Sequence, residues 1–288
     1  MRLAAFTVSL PEYTPEEAAG VLSGLGFDGV EWRVVDEPAY NGEPSFWLGN
    51  RCTLPLSTLL DDAPRIRALA DAHGLAMPNL GTYVPCSDPA AVERALLSSA
   101  ALAVPSIRVT LPDYDGSIPY LPVRDTARRQ WDTVATLAAR HGVRALLELH
   151  MDTIIPSASA AASFLDGRDP AHVGVIHDAG NMVFDGQETY RMSLEVLGPY
   201  LAHVHLKNAS WSPLGARPDG STQWFASFSP LTSGIVDVPA LLRALRATGY
   251  DGWISLEDFS TEQPVFERTR DNLAYVRSTL AAIDSAGA

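Results

Sequence analysis

Short runs of apolar and β-branched residues alternate along the chain with longer stretches in which apolar positions recur at helical spacing. The strand-like runs are 3–8 (LAAFTV), 29–34 (GVEWRV), 76–83 (AMPNLGTY), 106–111 (SIRVTL), 144–150 (RALLELH), 172–180 (HVGVIHDAG), 202–208 (AHVHLKN) and 252–259 (GWISLEDF). Between them lie helical segments with recognisable ends. TPEEAAGVLSGLG (14–26) opens with a Thr cap, a Pro at the first helical position and Glu in the first turn, and closes on Gly. The same grammar predicts helices over 62–74, 123–142 and 236–249. Each of these ends in Gly a few residues before a strand, as a helix C′ residue should.

Strand and helix in regular alternation predict an α/β fold with a parallel sheet. Eight such units within 288 residues fit a (β/α)8 TIM barrel covering residues 1–288 as a single domain. The rival is a doubly wound open sheet, which normally carries a Gly-rich phosphate loop after its first strand. Here the first strand runs into SLPEYTPEE, without that loop, and the barrel is favoured. Two connections are long: 35–60, which contains Trp47, and 209–234, which contains Trp211, Arg217, Trp224 and Phe228. Both follow strands, so both belong to the face where such barrels do chemistry. Their aromatics suit either an apolar wall for a ring or an interface, which leaves a homo-oligomer open.

Composition narrows the partners. A net charge of −13 lacks the basic footprint of a nucleic-acid binder and disfavours an anionic membrane surface. Two cysteines without a CxxC pattern suggest neither a disulfide framework nor a thiolate zinc site. The opening MRLAAFTVSLPEY is too short an apolar stretch for a signal peptide or anchor, and no long apolar run occurs. The expectation is a cytoplasmic protein acting on a small molecule.

The strand ends carry the candidate chemistry. The fifth run ends Glu148-Leu149-His150, the sixth His177-Asp178-Ala179-Gly180-Asn181, the seventh His203-Val204-His205-Leu206-Lys207, and the eighth Ser255-Leu256-Glu257-Asp258. Side chains alternate along a strand, so His203, His205 and Lys207 share one face. Glu, Asp, His and Glu thus come to one rim from four successive strands. Three carboxylates brought that close repel unless a cation neutralises them. Oxygen and nitrogen donors without thiolate suit one divalent ion: Mn2+ first, then Mg2+, Co2+, Fe2+ or Zn2+.

Read together, LELH, HDAGNM, AHVHLKN, GIVDVPALLRAL and SLEDF resemble the sugar phosphate isomerase/epimerase superfamily, the xylose isomerase-like TIM barrels. The likeness runs from GFDGVEWR near the start to SLEDF. It implies a metal site made of Glu148, Asp178, His205 and Glu257. His205 is preferred to His203 because it is the His of the HLK signature and lies nearer the rim. The resemblance also implies a small polyhydroxy substrate. Epimerisation or isomerisation of a sugar, keto-sugar or cyclitol would proceed through an enediolate-type intermediate, with Glu148 and Glu257 as the acid/base pair. The alternative is a lyase or dehydratase on the same scaffold, as in dehydroshikimate or inosose dehydratases or in cleavage of a keto-sugar conjugate. A non-catalytic binding protein is the third reading. Many members carry His three residues after the strand-six Asp, where this chain has Asn181, a hydroxyl partner rather than a proton carrier.

Other residues complete the expectations. His150 and Lys207 are candidate catalytic groups, and Glu31, Asn181 and Arg217 candidate substrate contacts. Glu31 and Arg33 share a face and otherwise simply pair. His177 is expected in the helix–sheet layer, and His203 a layer below the metal site.

Overall fold

The computed structural model describes residues 1–286. Eight parallel strands form a closed barrel: β1 (Arg2–Phe6), β2 (Gly29–Val34), β3 (Leu80–Pro85), β4 (Ser106–Thr110), β5 (Arg144–Glu148), β6 (Val173–Asp178), β7 (Leu201–Leu206) and β8 (Trp253–Leu256). Each strand pairs with its successor, and β1 pairs with both β2 and β8, so no strand edge is left open. Nine helices are described: α1 (Pro15–Leu25), α2 (Leu59–Ala72), α3 (Pro89–Leu102), α4 (Tyr120–His141), α5 (Ala158–Leu165), α6 (Ala179–Asp185), α7 (Tyr190–Leu197), α8 (Val238–Ala247) and α9 (Val265–Ala286). None of the described helices is long and apolar enough to cross a membrane. The strands are buried on both faces, which is why they read as near-continuous apolar runs.

The helix ends follow the chemistry of the sequence. Thr14 and Glu17 form a reciprocal capping box on α1, with Pro15 in the first turn and Gly26 at φ 91° beyond its end. Asp237 accepts from Ala240 N at 2.8 Å and starts α8. Among the boundaries that differ from expectation, two involve prolines. Helix α2 begins upstream, so Pro64 lies inside it rather than at its start. Pro64 faces solvent, where the carbonyl left without an amide partner can be hydrated. Strand β3 begins at Leu80 rather than 76, because Pro78 cannot donate to the ladder and Ala76 makes only an isolated bridge to Gly29.

The 209–234 connection is the larger departure. It is a β-hairpin of Asn208–Ala216 with Thr222–Ser229, standing above the barrel with a bulge between Gln223 and Trp224. Its root is held by Asn208, buried and fully bonded: Nδ2 donates to Leu231 O and Val236 O, while Oδ1 accepts from Ala209 N and Val236 N.

Inside the barrel, large and small residues fit one another. The Phe6 ring lies against Gly81, where a Cβ would stand 2.2 Å from ring carbons. Phe6 also packs on the His205 ring, with centroids 5.2 Å apart. Gly81 therefore keeps the space that seats Phe6 beneath the site. Gly81→Ala is expected to cost about 1–3 kcal/mol through overpacking, read as a lower denaturant midpoint. An unchanged midpoint would show that the ring has room to move.

Candidate functional site

Strand register brings the polar strand ends together. Asp178 on β6 is level with His205 on β7, and His205 with Ser255 on β8, while Glu257 N donates to Leu206 O just past β8. One oxygen each of Glu148, Asp178 and Glu257 and a nitrogen of His205 lie within 4.8 Å of one another, and all four residues are buried. Asp178 also caps α6, accepting from Asn181 N at 2.9 Å through Oδ1, which turns Oδ2 to the cluster. Gly180 in that turn is needed because Lys207 passes over it. A Cβ there would meet Lys207 Cγ at 2.4 Å.

His205 is the hub. Its Nδ1 lies 2.9 Å from Glu148 Oε1, 3.6 Å from Glu257 Oε2 and 3.9 Å from Asp178 Oδ2. Its Nε2 faces the other way, to Glu31 at 3.1 and 3.2 Å. Nδ1 is therefore the nitrogen available to an ion, and Glu31 is the carboxylate that orients the ring from behind. Glu31 is also held by Asn79, at 2.7 Å, and by His203, at 2.9 Å. His203 in turn contacts Ser255 Oγ at 2.9 Å. His203 thus sits a layer below His205, sharing Glu31 with it.

The charges hold one another in place. Burial opposes every ion here, yet the surrounding carboxylates of Glu31, Glu148 and Glu257 raise the His205 imidazole well above its ordinary range. Against burial, Arg108 and His205 hold Glu148 well below the usual carboxylate range. Arg108 donates to Glu148 Oε2 at 2.6 Å and to Thr82 O at 3.0 Å, and its guanidinium stacks on Tyr83 at 4.3 Å. Burial, reinforced by Glu148 and Glu257, pushes the Asp178 carboxyl up to about 7. Asp178 Oδ2 is buried without a hydrogen-bond partner; Lys207 Nζ is 2.9 Å away but not in hydrogen-bonding alignment. Lys207 Nζ also bonds Glu257 Oε2. Three oxygens, one of them the orphaned Asp178 Oδ2, and one nitrogen suit a divalent cation, so the residues fit the ion that the sequence implied.

Above this floor opens a cavity of about 580 Å3, lined in part by Arg108, Glu148, His150, Lys207 and Glu257. His150 Nδ1 lies 2.8 Å from Met151 O, a pure acceptor, so Nδ1 carries the proton, and Nε2 has no hydrogen-bond partner among the described residues. Asn181 is buried behind Glu148, with Nδ2 3.4 Å from Glu148 Oε1 and 3.2 Å from Leu149 O, and does not line the cavity.

Like Asn181, the other two expected substrate contacts do not line the cavity. Glu31 is wholly buried under His205 and does not reach the cavity. Nor does it pair with Arg33, which forms an ion pair with Glu37 and lies over the Tyr83 ring. Arg217 is exposed near the hairpin tip, donating to Thr222 O, away from the cavity. The hairpin's own pairing carries it outward. His177 lies in the helix–sheet layer as expected, 3.0 Å from Ser193 Oγ. Arg108 was missed: within SIRVT it reads as an ordinary strand cation, and only its place opposite Glu148 reveals it. Its inward-facing position on the fourth strand was the available signal.

A closed parallel barrel with a buried acid–imidazole cluster at the C-terminal ends of its strands defines a class of barrel built to bind a ligand at its mouth. The chain belongs to the xylose isomerase-like TIM barrel family, whose model matches residues 20–279. It is 27% identical over 154 residues to the inosose dehydratase of Geobacillus thermodenitrificans, covering 50% of each chain; the match spans about half the length of that relative. Its fold is shared with the 3-keto-D-glucoside 4-epimerase of E. coli (TM-score 0.71, 19% identity, 96% of this chain and 99% of that one). It is shared equally with a xylose isomerase-like protein of Mycobacterium smegmatis in complex with magnesium (TM-score 0.69, 18% identity, 98% and 97%).

Two outcomes follow from this geometry. His205 must give up a proton to offer Nδ1 to an ion, and Asp178 gives up a second where it is protonated, below about pH 7. Divalent-ion affinity should therefore rise with pH, up to about tenfold per unit for each proton released. Calorimetry in buffers of different ionisation enthalpy should show that release, and pH-independent affinity would contradict it. Glu31→Gln should weaken ion binding about 10–100-fold by freeing the His205 ring, measured by equilibrium titration beside wild type.

Proposed function

We propose that the protein is a divalent-metal-dependent epimerase or isomerase that moves a proton at the carbon beside the carbonyl of a keto-sugar or cyclitol. The observation that carries this reading is the convergence of Glu148, Asp178, His205 and Glu257 within 4.8 Å, with Glu148 and Glu257 lining a cavity of about 580 Å3. A bound divalent ion would draw charge from a carbonyl oxygen and an adjacent hydroxyl, acidifying the C–H between them. The protein's own groups then divide the work. Glu148 has both oxygens engaged, by Arg108 and by His205, and serves as a fixed anionic ligand. Glu257 lines the cavity and has only one oxygen engaged by a side chain, so it is the base that removes the proton. His150, which also lines the cavity, carries a proton to or from the other side.

One observation favours a second reading. The Lys207 ammonium stands beside Glu257, where it can protonate a departing hydroxyl. Burial works against that charge, but Asp178, Glu257 and Glu148 raise its affinity for the proton. A metal-dependent dehydratase would use that proton, in keeping with the dehydratase relative. Both readings share the first proton removal and part at the second.

The metal-loaded protein incubated in D2O with keto-sugars and inososes separates them. Deuterium gained without loss of water supports epimerisation or isomerisation, and loss of one water supports the dehydratase. Glu257→Gln should lower either rate about 10²–10⁴-fold with the fold kept by circular dichroism. Full turnover in a chelated, metal-free sample would rule out the metal-dependent scheme.

A further inference from the structure

The cavity has two unlike walls. Its floor is ionic: Glu148, Glu257, Lys207 and Arg108, all buried. Its side is aromatic: Trp47, Phe228 and Phe259. These three come from separate places, the connection after β2, the hairpin, and the segment just past β8. They nevertheless touch. Trp47 and Phe259 have ring centroids 4.6 Å apart, and Phe228 and Phe259 4.9 Å. Phe46 and Phe184 back them at 5.1 and 5.4 Å.

A small apolar core beneath the loops explains Phe46 and Phe259, which turn inward. It does not explain Trp47, which keeps 52% of its surface exposed while its neighbours cover one face. An indole held half-open at a cavity rim is a surface waiting for an apolar partner. The wall also begins where the chemistry ends: Lys207 Nζ is 5.5 Å from the Phe228 centroid and 5.1 Å from that of Phe259. A group attached to a ring reacting at the carboxylates would be placed against it. Sugar hydroxyls turned to Phe228 and Phe259 would lose their hydrogen bonds, which is costly in a desolvated site. The volume of about 580 Å3 falls within the range of about 300–1,000 Å3 that holds drug-sized ligands, more than one sugar ring fills.

We propose that the substrate is a glycoside, its keto-sugar ring held at the ionic floor and an aromatic aglycone lying on Trp47, Phe228 and Phe259. This rests on the reading of the floor given above and names the substrate class for it.

The test uses the metal-loaded protein and two probe pairs, methyl and phenyl 3-keto-D-glucopyranosides as α and β anomers. Calorimetric titration should show the phenyl compound of one anomer binding about three- to tenfold tighter than its methyl partner, the range expected for an aromatic contact. Trp47→Ala, at an exposed position that leaves the barrel intact, should bring the phenyl compound down to the affinity of the methyl one. Equal binding of phenyl and methyl compounds in wild type, or a phenyl advantage that survives both Trp47→Ala and Phe259→Leu, overturns the proposal. If the methyl compound binds and exchanges its proton in D2O as well as the phenyl one, only the aglycone is disproved. If neither binds nor exchanges, the keto-sugar reading of the floor falls with it.

Discussion

Four acidic side chains, Glu31, Glu148, Asp178 and Glu257, are buried around one imidazole, that of His205. Burying a charge is costly unless it is paired, and the interior of the barrel mouth is arranged to meet that cost. Arg108 answers Glu148, Lys207 answers Asp178 and Glu257, and His205 stands between Glu31 and Glu148 with both ring nitrogens engaged. Even so, Asp178 keeps one oxygen unbonded. Its Oδ2 has the Lys207 ammonium 2.9 Å away but no hydrogen bond, and an acceptor oxygen left so among clustered carboxylates is what a divalent ion would satisfy.

The scaffold makes this arrangement rigid. The four candidate ligands leave from adjacent strands whose register is fixed on both sides, so their carboxylates cannot draw apart to relieve repulsion. From below, Phe6 seats the His205 ring, and Phe6 has its place only because position 81 has no side chain. A site built this way is preorganised: its ligands are held by packing and by hydrogen bonds outside the site, not gathered by the ion. The two long connections, the one after β2 and the hairpin, contribute Trp47 and Phe228 to the aromatic wall of the cavity.

Much of this was legible in the chain. The strand–helix alternation and the capping signals at Thr14 and Asp237 specify a barrel, because helix ends and strand runs are local chemistry. Alternation along each strand made the inward polar groups at the strand ends legible, and the likeness of the motifs to a family picked Glu148, Asp178, His205 and Glu257 from among them. Arg108 was not legible, since a strand Arg gives no sign of its partner until β4 and β5 are laid side by side. Arg217 was misplaced because a 26-residue connection reads as a loop, and its position relative to the mouth depends on cross-strand pairing from Asn208 to Ser229. The expected edges of α2 and β3 shifted for different reasons: α2 runs upstream through an exposed Pro64, whereas β3 starts late because Pro78 cannot donate to the ladder.

The sequence by itself therefore determined the order of elements and the kinds of donor at each strand end, which follow from period and residue type. Tertiary structure alone decided which nitrogen of His205 faces Glu148, Asp178 and Glu257 and that Glu31 meets the other nitrogen from behind. It alone brought Trp47, Phe228 and Phe259 into one wall. Those outcomes are distances between residues far apart in the chain, such as the 174 positions between Glu31 and His205, and only closure of the barrel fixes them.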